Sequence, residues 1–193
     1  MQRRRKGSQR EQLLDSTDEL NRFLGDVERR AFRMARFATG DTDDALDLVQ
    51  DAMYDFARRY SGRPPEEWAV LFFRVLQSRT TDWHRRTTVR KRFRIWFGAD
   101  RNGNDDEDPL QNMPDPASPD PSEMLSRKDT AAALEAAVAR LPLRQQQAFL
   151  LRAWEGFDVA QTAAAMGCSE GSVKTHYSRA VHMLRSLLEE FRR

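Results

Sequence analysis

The chain has 193 residues, 32 Lys plus Arg against 30 Asp plus Glu, and a formal net charge of +2. No stretch approaches the ~20 consecutive apolar residues that a bilayer span needs. Cys168 is the only cysteine, which excludes a disulfide scaffold and a cysteine-rich zinc site. His84, His176 and His182 lack a metal-ligand spacing, and the N-terminal Met-Gln-Arg-Arg-Arg-Lys has no apolar run behind it. The expectation is a soluble, cytoplasmic protein with no metal, no cofactor and no membrane insertion.

The near-neutral total hides three charged blocks. Residues 1–16 carry Arg3, Arg4, Arg5, Lys6 and Arg10 against Glu11 and Asp15. Residues 83–99 carry Arg85, Arg86, Arg90, Lys91, Arg92 and Arg94 with no acid, whereas residues 100–123 carry eight acids against Arg101 alone. Such asymmetry bears on partners rather than fold. A basic block suits a polyanion, and an adjacent acidic block restrains non-specific binding. The plain alternative is solvated surface.

In chain order, a basic extension (1–16) precedes a helix that starts at Ser16-Thr17-Asp18. Its Leu20, Phe23, Leu24, Val27, Ala31, Met34 and Ala35 recur at three and four. Gly40 ends that helix, and Thr42 or Asp43 caps the next, whose apolar face is Ala45, Leu48, Val49, Ala52, Met53 and Phe56. Ser61-Gly62-Arg63-Pro64-Pro65 is a loop with proline at a helix start. The helix from about Glu66 turns Trp68, Leu71, Phe72, Val75 and Leu76 inward and runs into the basic block. Residues 98–122 hold five prolines, many acids and almost no apolar side chain. That composition cannot bury enough surface to offset the entropy of ordering and predicts a flexible linker. A helix from about Glu123 carries Leu134, Val138 and Leu141. Pro142 starts another with Ala148, Phe149, Leu151 and Trp154, closed by Gly156 as a left-handed cap. Asp158 with Gln161 is a capping-box pattern, and Ser169 caps a last helix running to about Phe191. Nothing alternates with period two. The fold class is therefore all-α: two small helical domains, 17–97 and 124–193, joined by the linker 98–123.

Ala163, Gly167 and Val173 predict a helix-turn-helix. The first helix needs a small residue at the crossing, the turn a residue tolerant of positive φ, and the second helix an apolar residue facing back. Val173, Tyr177, Ala180, Val181, Leu184, Leu187 and Leu188 make the buried stripe of the last helix. Lys174, Thr175, Ser178, Arg179 and His182 fall on the other side, a mix of cations and small hydroxyls suited to a major groove. His176 is either a surface residue or a base contact. The alternative is an ordinary helical hairpin with a solvated face. Cys168, in the turn, reads as a small inward-packing residue rather than a redox switch.

Asp44, Asp47, Asp51 and Asp55 are spaced three, four and four on one helix. They read as a docking face for a basic partner helix, a solvated face, or a metal site. The metal site lacks a second carboxylate or histidine helix to complete a shell, which also weakens a reading as a helical metal-dependent hydrolase.

Two motifs then coincide in order. Asp47-Leu48-Val49-Gln50-Asp51-Ala52 resembles the segment with which bacterial sigma factors dock on RNA polymerase. Leu141-Pro142-Leu143-Arg144-Gln145-Gln146-Gln147-Ala148-Phe149, followed by Ser169-Glu170-Gly171-Ser172-Val173-Lys174, resembles their C-terminal promoter-reading domain. With two helical domains and a linker, the chain is similar to the extracytoplasmic-function group of the sigma-70 family over about residues 20–92 and 125–190. The second motif alone also resembles the DNA-binding domain of LuxR-type regulators, but residues 17–97 offer no βα alternation for a receiver domain. A pure polymerase adaptor that reads no DNA is a further alternative.

The sigma resemblance implies no enzymatic activity and three partners: core RNA polymerase through its clamp helices and flap, promoter DNA, and an anti-sigma factor. It implies polymerase docking through Asp44, Asp47, Leu48, Gln50 and Asp51. It implies −10 element contacts from Tyr60, Arg63, Arg74, Gln77, Ser78, Asp82 and Arg85, with a base flipped into a pocket at the loop 60–65. It implies −35 element contacts from Lys174, Thr175, His176, Ser178 and Arg179, and an acidic linker along the RNA exit path. The sequence departs from the family pattern in its short Pro64-Pro65 loop, in the extra acid Asp55, and in Lys174 and His176 where arginines are common.

Overall fold

Helix boundaries follow local chemistry in a computed structural model that describes the backbone of residues 2–96 and 121–191 and the side chains of 17–89 and 130–189. All regular structure among the described residues is helical. Helix α1 spans Gln2–Thr39, well before the expected Ser16 start. The reason is compositional: residues 2–15 are mostly Arg, Lys, Gln, Glu and Leu, good helix formers with no proline to stop them. The basic extension is thus continuous with α1. Gly40, at φ 73°, ends it in the left-handed region, and its carbonyl accepts a hydrogen bond from the Arg36 guanidinium.

Helix α2 spans Thr42–Tyr60. Its cap is Asp41 rather than Thr42 or Asp43: Asp41 is extended (φ −127°, ψ 140°), and its Oδ1 accepts from the Asp44 amide at 2.9 Å. Helix α3 spans Pro65–Trp96 with proline at its first position. The Trp68 indole N–H donates to the Arg63 carbonyl at 2.7 Å and pins the loop before it. The three helices close on Val27, Ala31, Leu48, Ala52, Phe56, Phe72 and Leu76. Phe23, Phe56, Trp68 and Phe72 form an aromatic cluster, with Phe23–Trp68 centroids at 5.5 Å and Phe56–Phe72 at 5.7 Å.

The second sub-domain begins with α4 (Pro121–Ala139). Val138 and Leu141 are buried as expected, but Leu134 is exposed and Ala137 takes the inward position. Helix α5 (Leu143–Phe149) runs into a π-helical turn, Leu150–Trp154, that the sequence reading did not anticipate. In that turn the Glu155 amide reaches back five residues to the Leu150 carbonyl at 3.1 Å. Gly156, at φ 71°, closes it. Helix α6 (Val159–Met166) opens on the expected Asp158–Gln161 capping box, and α7 spans Glu170–Phe191.

The two sub-domains share a hydrophobic cluster. Phe73, absent from the expected inward set, is fully buried because it meets Phe157 edge-on at 5.6 Å across the boundary. The linker 98–123 lies outside the described residues except for its last three, which form the start of α4.

Candidate nucleic-acid and polymerase interfaces

The helix-turn-helix is built as its small residues require. Gly167 adopts φ 62°, and its amide donates to the Ala163 carbonyl. The Cys168 amide donates to the same carbonyl at 3.1 Å. Arg144 closes the end of α6 from outside by donating to the Met166 carbonyl at 3.1 Å. Ser169 Oγ accepts from the Ser172 amide at 3.2 Å, the expected cap of α7. Val173, Ala180, Leu184 and Leu187 are buried, and Tyr177 is half-buried, stacked on Phe149 with centroids 6.3 Å apart.

Opposite that stripe, Lys174, Thr175, Ser178 and Arg179 are exposed. Neither cation has an ion-pair partner among the described residues. His176 is half-buried; burial first, then the nearby Arg144 and Arg179, lower its pKa, so it is neutral at pH 7. Cys168 is half-buried, and burial raises its thiol pKa, which keeps it protonated and slow to react.

On α2, Asp47, Gln50 and Asp51 are exposed and Asp44 is half-exposed. Leu48 is in the core and supports this face without surfacing on it. Two residues that the sequence reading passed over stand beside the acids: Leu46, 43% exposed, and Tyr54, 69% exposed. Tyr54 follows Asp47 by seven residues, which puts it on the same face. The signal was present as apolar side chains off the buried register.

Asp55 leaves the stripe. It is buried and pairs with Arg79 of α3 through a short contact and a second bond from Nε at 3.0 Å. Arg58 and Arg59 lie 3.5 and 3.6 Å from its other oxygen, and Arg79 is 3.6 Å from Asp51. The Arg79 hydrogen bond holds the Asp55 carboxyl below the usual carboxylate range. A depressed folded-state pKa contributes stability that is present above the unfolded value of about 3.9 and is lost as pH falls through the folded one. Thermal melts followed by circular dichroism on acidification should show this. Asp55→Asn should lower the melting temperature at neutral pH and flatten the acid limb below about pH 5. An acid limb as steep as wild type assigns the acid sensitivity to other carboxylates.

The residues expected at the −10 element divide into two places. Tyr60 is half-buried against Phe56 (6.0 Å), and Arg63 is paired with Glu67 at 2.7 Å, both at the α2–α3 loop. Arg74, Gln77, Ser78 and Asp82 lie roughly 15–30 Å further along α3 at 1.5 Å per residue. There they line an open cleft of about 240 Å³ with Thr81, Arg144, Ala165, Met166 and Gly167. Gln77 is buried, with its amide against Met34 Sδ at 2.8 Å. Arg85 is exposed. Among the described residues no three His, Cys, Asp or Glu side chains converge on a metal-sized site, and no helix is long and apolar enough to cross a membrane.

An all-helical chain with a capped helix-turn-helix and an acidic, partly apolar docking face is built to bind DNA and a protein partner together. Residues 131–184 match the family model described as sigma-70, region 4. The chain is 30% identical to the RNA polymerase sigma-E factor of Streptomyces antibioticus over 77% of its own length and 73% of the relative's. It is 28% identical to the sigma-E factor of Streptomyces avermitilis, over 89% and 86%. It is 29% identical to the extracytoplasmic-function sigma factor SigM of Mycobacterium tuberculosis, over 83% and 72%. The crystallised sigma factor RpoE of Bartonella quintana, solved with the anti-sigma factor NepR, superposes with TM-score 0.58 at 26% identity, covering 91% of this chain and 97% of that one. The chain belongs to the sigma-70 family of sigma factors, in its extracytoplasmic-function group. It is not an enzyme; it directs transcription initiation through core RNA polymerase and promoter recognition.

Proposed function

We propose a division of labour between the two sub-domains. The exposed α2 face of Asp44, Asp47, Gln50 and Asp51, extended by Leu46 and Tyr54, docks on the basic clamp helices of polymerase. The second sub-domain meets the flap and reads the −35 element. The α2–α3 loop, with Tyr60 and Arg63, and the α3 face of Arg74, Ser78, Asp82 and Arg85 take the −10 element. Extracting a base there costs a few kcal/mol, which stacking and edge hydrogen bonds must return. An anti-sigma factor, as in the Bartonella complex, is the expected regulator.

The observation that carries the −35 assignment is the unpaired Lys174–Arg179 surface on the outer face of α7. The two cations differ in place. Arg179 sits one turn beyond Thr175, where a guanidinium meets a guanine edge; Lys174 is near the helix start, where phosphate contacts cluster. Arg179→Ala should cost ~1–3 kcal/mol and relax preference at one −35 position, whereas Lys174→Ala should weaken all sequences alike and lower the salt slope by about one. A randomised −35 selection with each mutant holoenzyme measures both. Wild-type affinity and preference in both variants would make this face solvated surface.

A further inference from the structure

The contacts between the sub-domains fall on the helix that the proposed function assigns to the −10 element. The cleft between α3 and the end of α6 is about 240 Å³, below the ~300 Å³ at which small-ligand pockets begin, so a DNA strand cannot run through it. Thr81 on that face accepts a hydrogen bond from the Gln147 side-chain amide at 3.3 Å. On the far side of the boundary, Trp154 from the π-helical turn packs on Phe37 at 6.0 Å and under the Arg33 guanidinium at 5.7 Å. Next to it, Arg30 donates to Glu155 at 2.5 Å. The α2 acidic face and the α7 reading face stay open in the same arrangement.

The Glu155 side chain is 1% exposed, yet only one of its oxygens has a partner; Oε1 is buried with none. A half-satisfied buried carboxylate is costly, and the single ion pair to a partly exposed Arg30 returns only part of that cost. The contact is therefore specific, because its loss strands a charge, and weak, because water would satisfy both ends. Those are the properties of a latch rather than of a permanent core.

We propose that the two sub-domains of the free chain close on each other through an Arg30–Glu155 latch and that this closure withholds the α3 face from the −10 strand until polymerase is engaged. The proposal rests on the −10 reading given above. Docking through α2 and duplex contact through α7 need no opening, whereas −10 capture does. If about one molecule in ten is open, the apparent affinity for the −10 strand is about tenfold below that of an opened chain.

The test is a charge swap in the full-length chain. Arg30→Glu and Glu155→Arg each place like charges at the latch and should open it; the double variant restores the pair with its sign reversed. Closure is read without DNA by joining native Cys168 to a cysteine introduced at Ser78, across the cleft, with a short bis-maleimide. Cross-linking should be efficient in the Ser78→Cys background, fall several-fold with either single swap, and recover with both. Affinity for a non-template −10 oligonucleotide, measured with Ser78 intact, should rise about tenfold in the singles and return in the double. Circular dichroism confirms that each variant is helical, and a Glu155→Gln chain, which removes the charge without repulsion, serves if Glu155→Arg does not fold. Efficient cross-linking that ignores the swaps, or no cross-linking in the Ser78→Cys chain, overturns the latch. Cross-linking that follows the swaps while oligonucleotide affinity stays constant keeps the latch, overturns its role in withholding DNA and assigns −10 reading away from this face.

Discussion

A chain carrying Asp47→Lys and Asp51→Lys should lose core RNA polymerase while keeping its helical fold. Both side chains are exposed on α2. Truncating an exposed ion pair costs only ~0.2–1 kcal/mol per pair, so alanine replacements should weaken binding by a small factor. Reversal differs in kind: it sets like charges against a basic surface, which costs several kcal/mol. At about 4 kcal/mol the affinity falls roughly a thousandfold, because each 1.4 kcal/mol is a factor of ten. The fold should survive because the residue that ties α2 to α3 is Asp55. Its pairing with Arg79 is untouched, and Asp51 contributes only a 3.6 Å contact to the same guanidinium. Affinity for core polymerase, with the far-UV spectrum as control, separates the outcomes. Reversed chains that bind as wild type does would remove α2 from the polymerase interface. Tyr54→Ala then reports whether the apolar part of the face contributes on its own.

What the sequence made legible was what local chemistry decides. The Asp158–Gln161 box, the left-handed glycines at 156 and 167, and the buried α7 stripe all depend on residues within a turn or two of each other. Asp41 was passed over as a cap because Thr42 and Asp43 are equally good cap residues by type, and only the extended backbone at Asp41 separates them. Asp55 continued the acidic stripe in spacing, but its role is set by Arg79, twenty-four residues away on another helix. Phe73 was left out of the core because α3 packs on both of its sides, once against α1 and α2 and once against the second sub-domain. A helix buried on two sides blurs the single apolar stripe that periodicity detects. The same cause hid the α3–α6 cleft: the residues expected to meet DNA also meet the other sub-domain.

Phe73 gives the second large effect. It is fully buried, touching Phe72 edge-on at 5.5 Å within its own sub-domain and Phe157 at 5.6 Å in the other. Phe73→Ala should destabilise the chain by about 3–5 kcal/mol, the usual cost of emptying a buried phenylalanine site. For a chain of this size each kcal/mol lowers the melting temperature by about 2–4 °C, so the expected drop is about 10–15 °C. That loss has two parts. One belongs to the α1–α3 core and would follow even if the sub-domains never touched. The other belongs to the boundary and is isolated by a double-mutant cycle with Phe157→Ala. An edge-to-face pair is worth ~0.5–1.5 kcal/mol beyond its buried area. The two substitutions together should therefore cost about 1 kcal/mol less than the sum of the singles. Arg30 and Glu155 supply an independent cycle at the other end of the same boundary. If both cycles show coupling, the sub-domains melt as one unit and the closed form dominates in the free chain. Strict additivity at Phe73–Phe157 would place the rings apart in solution and leave the full cost of Phe73→Ala with the first sub-domain.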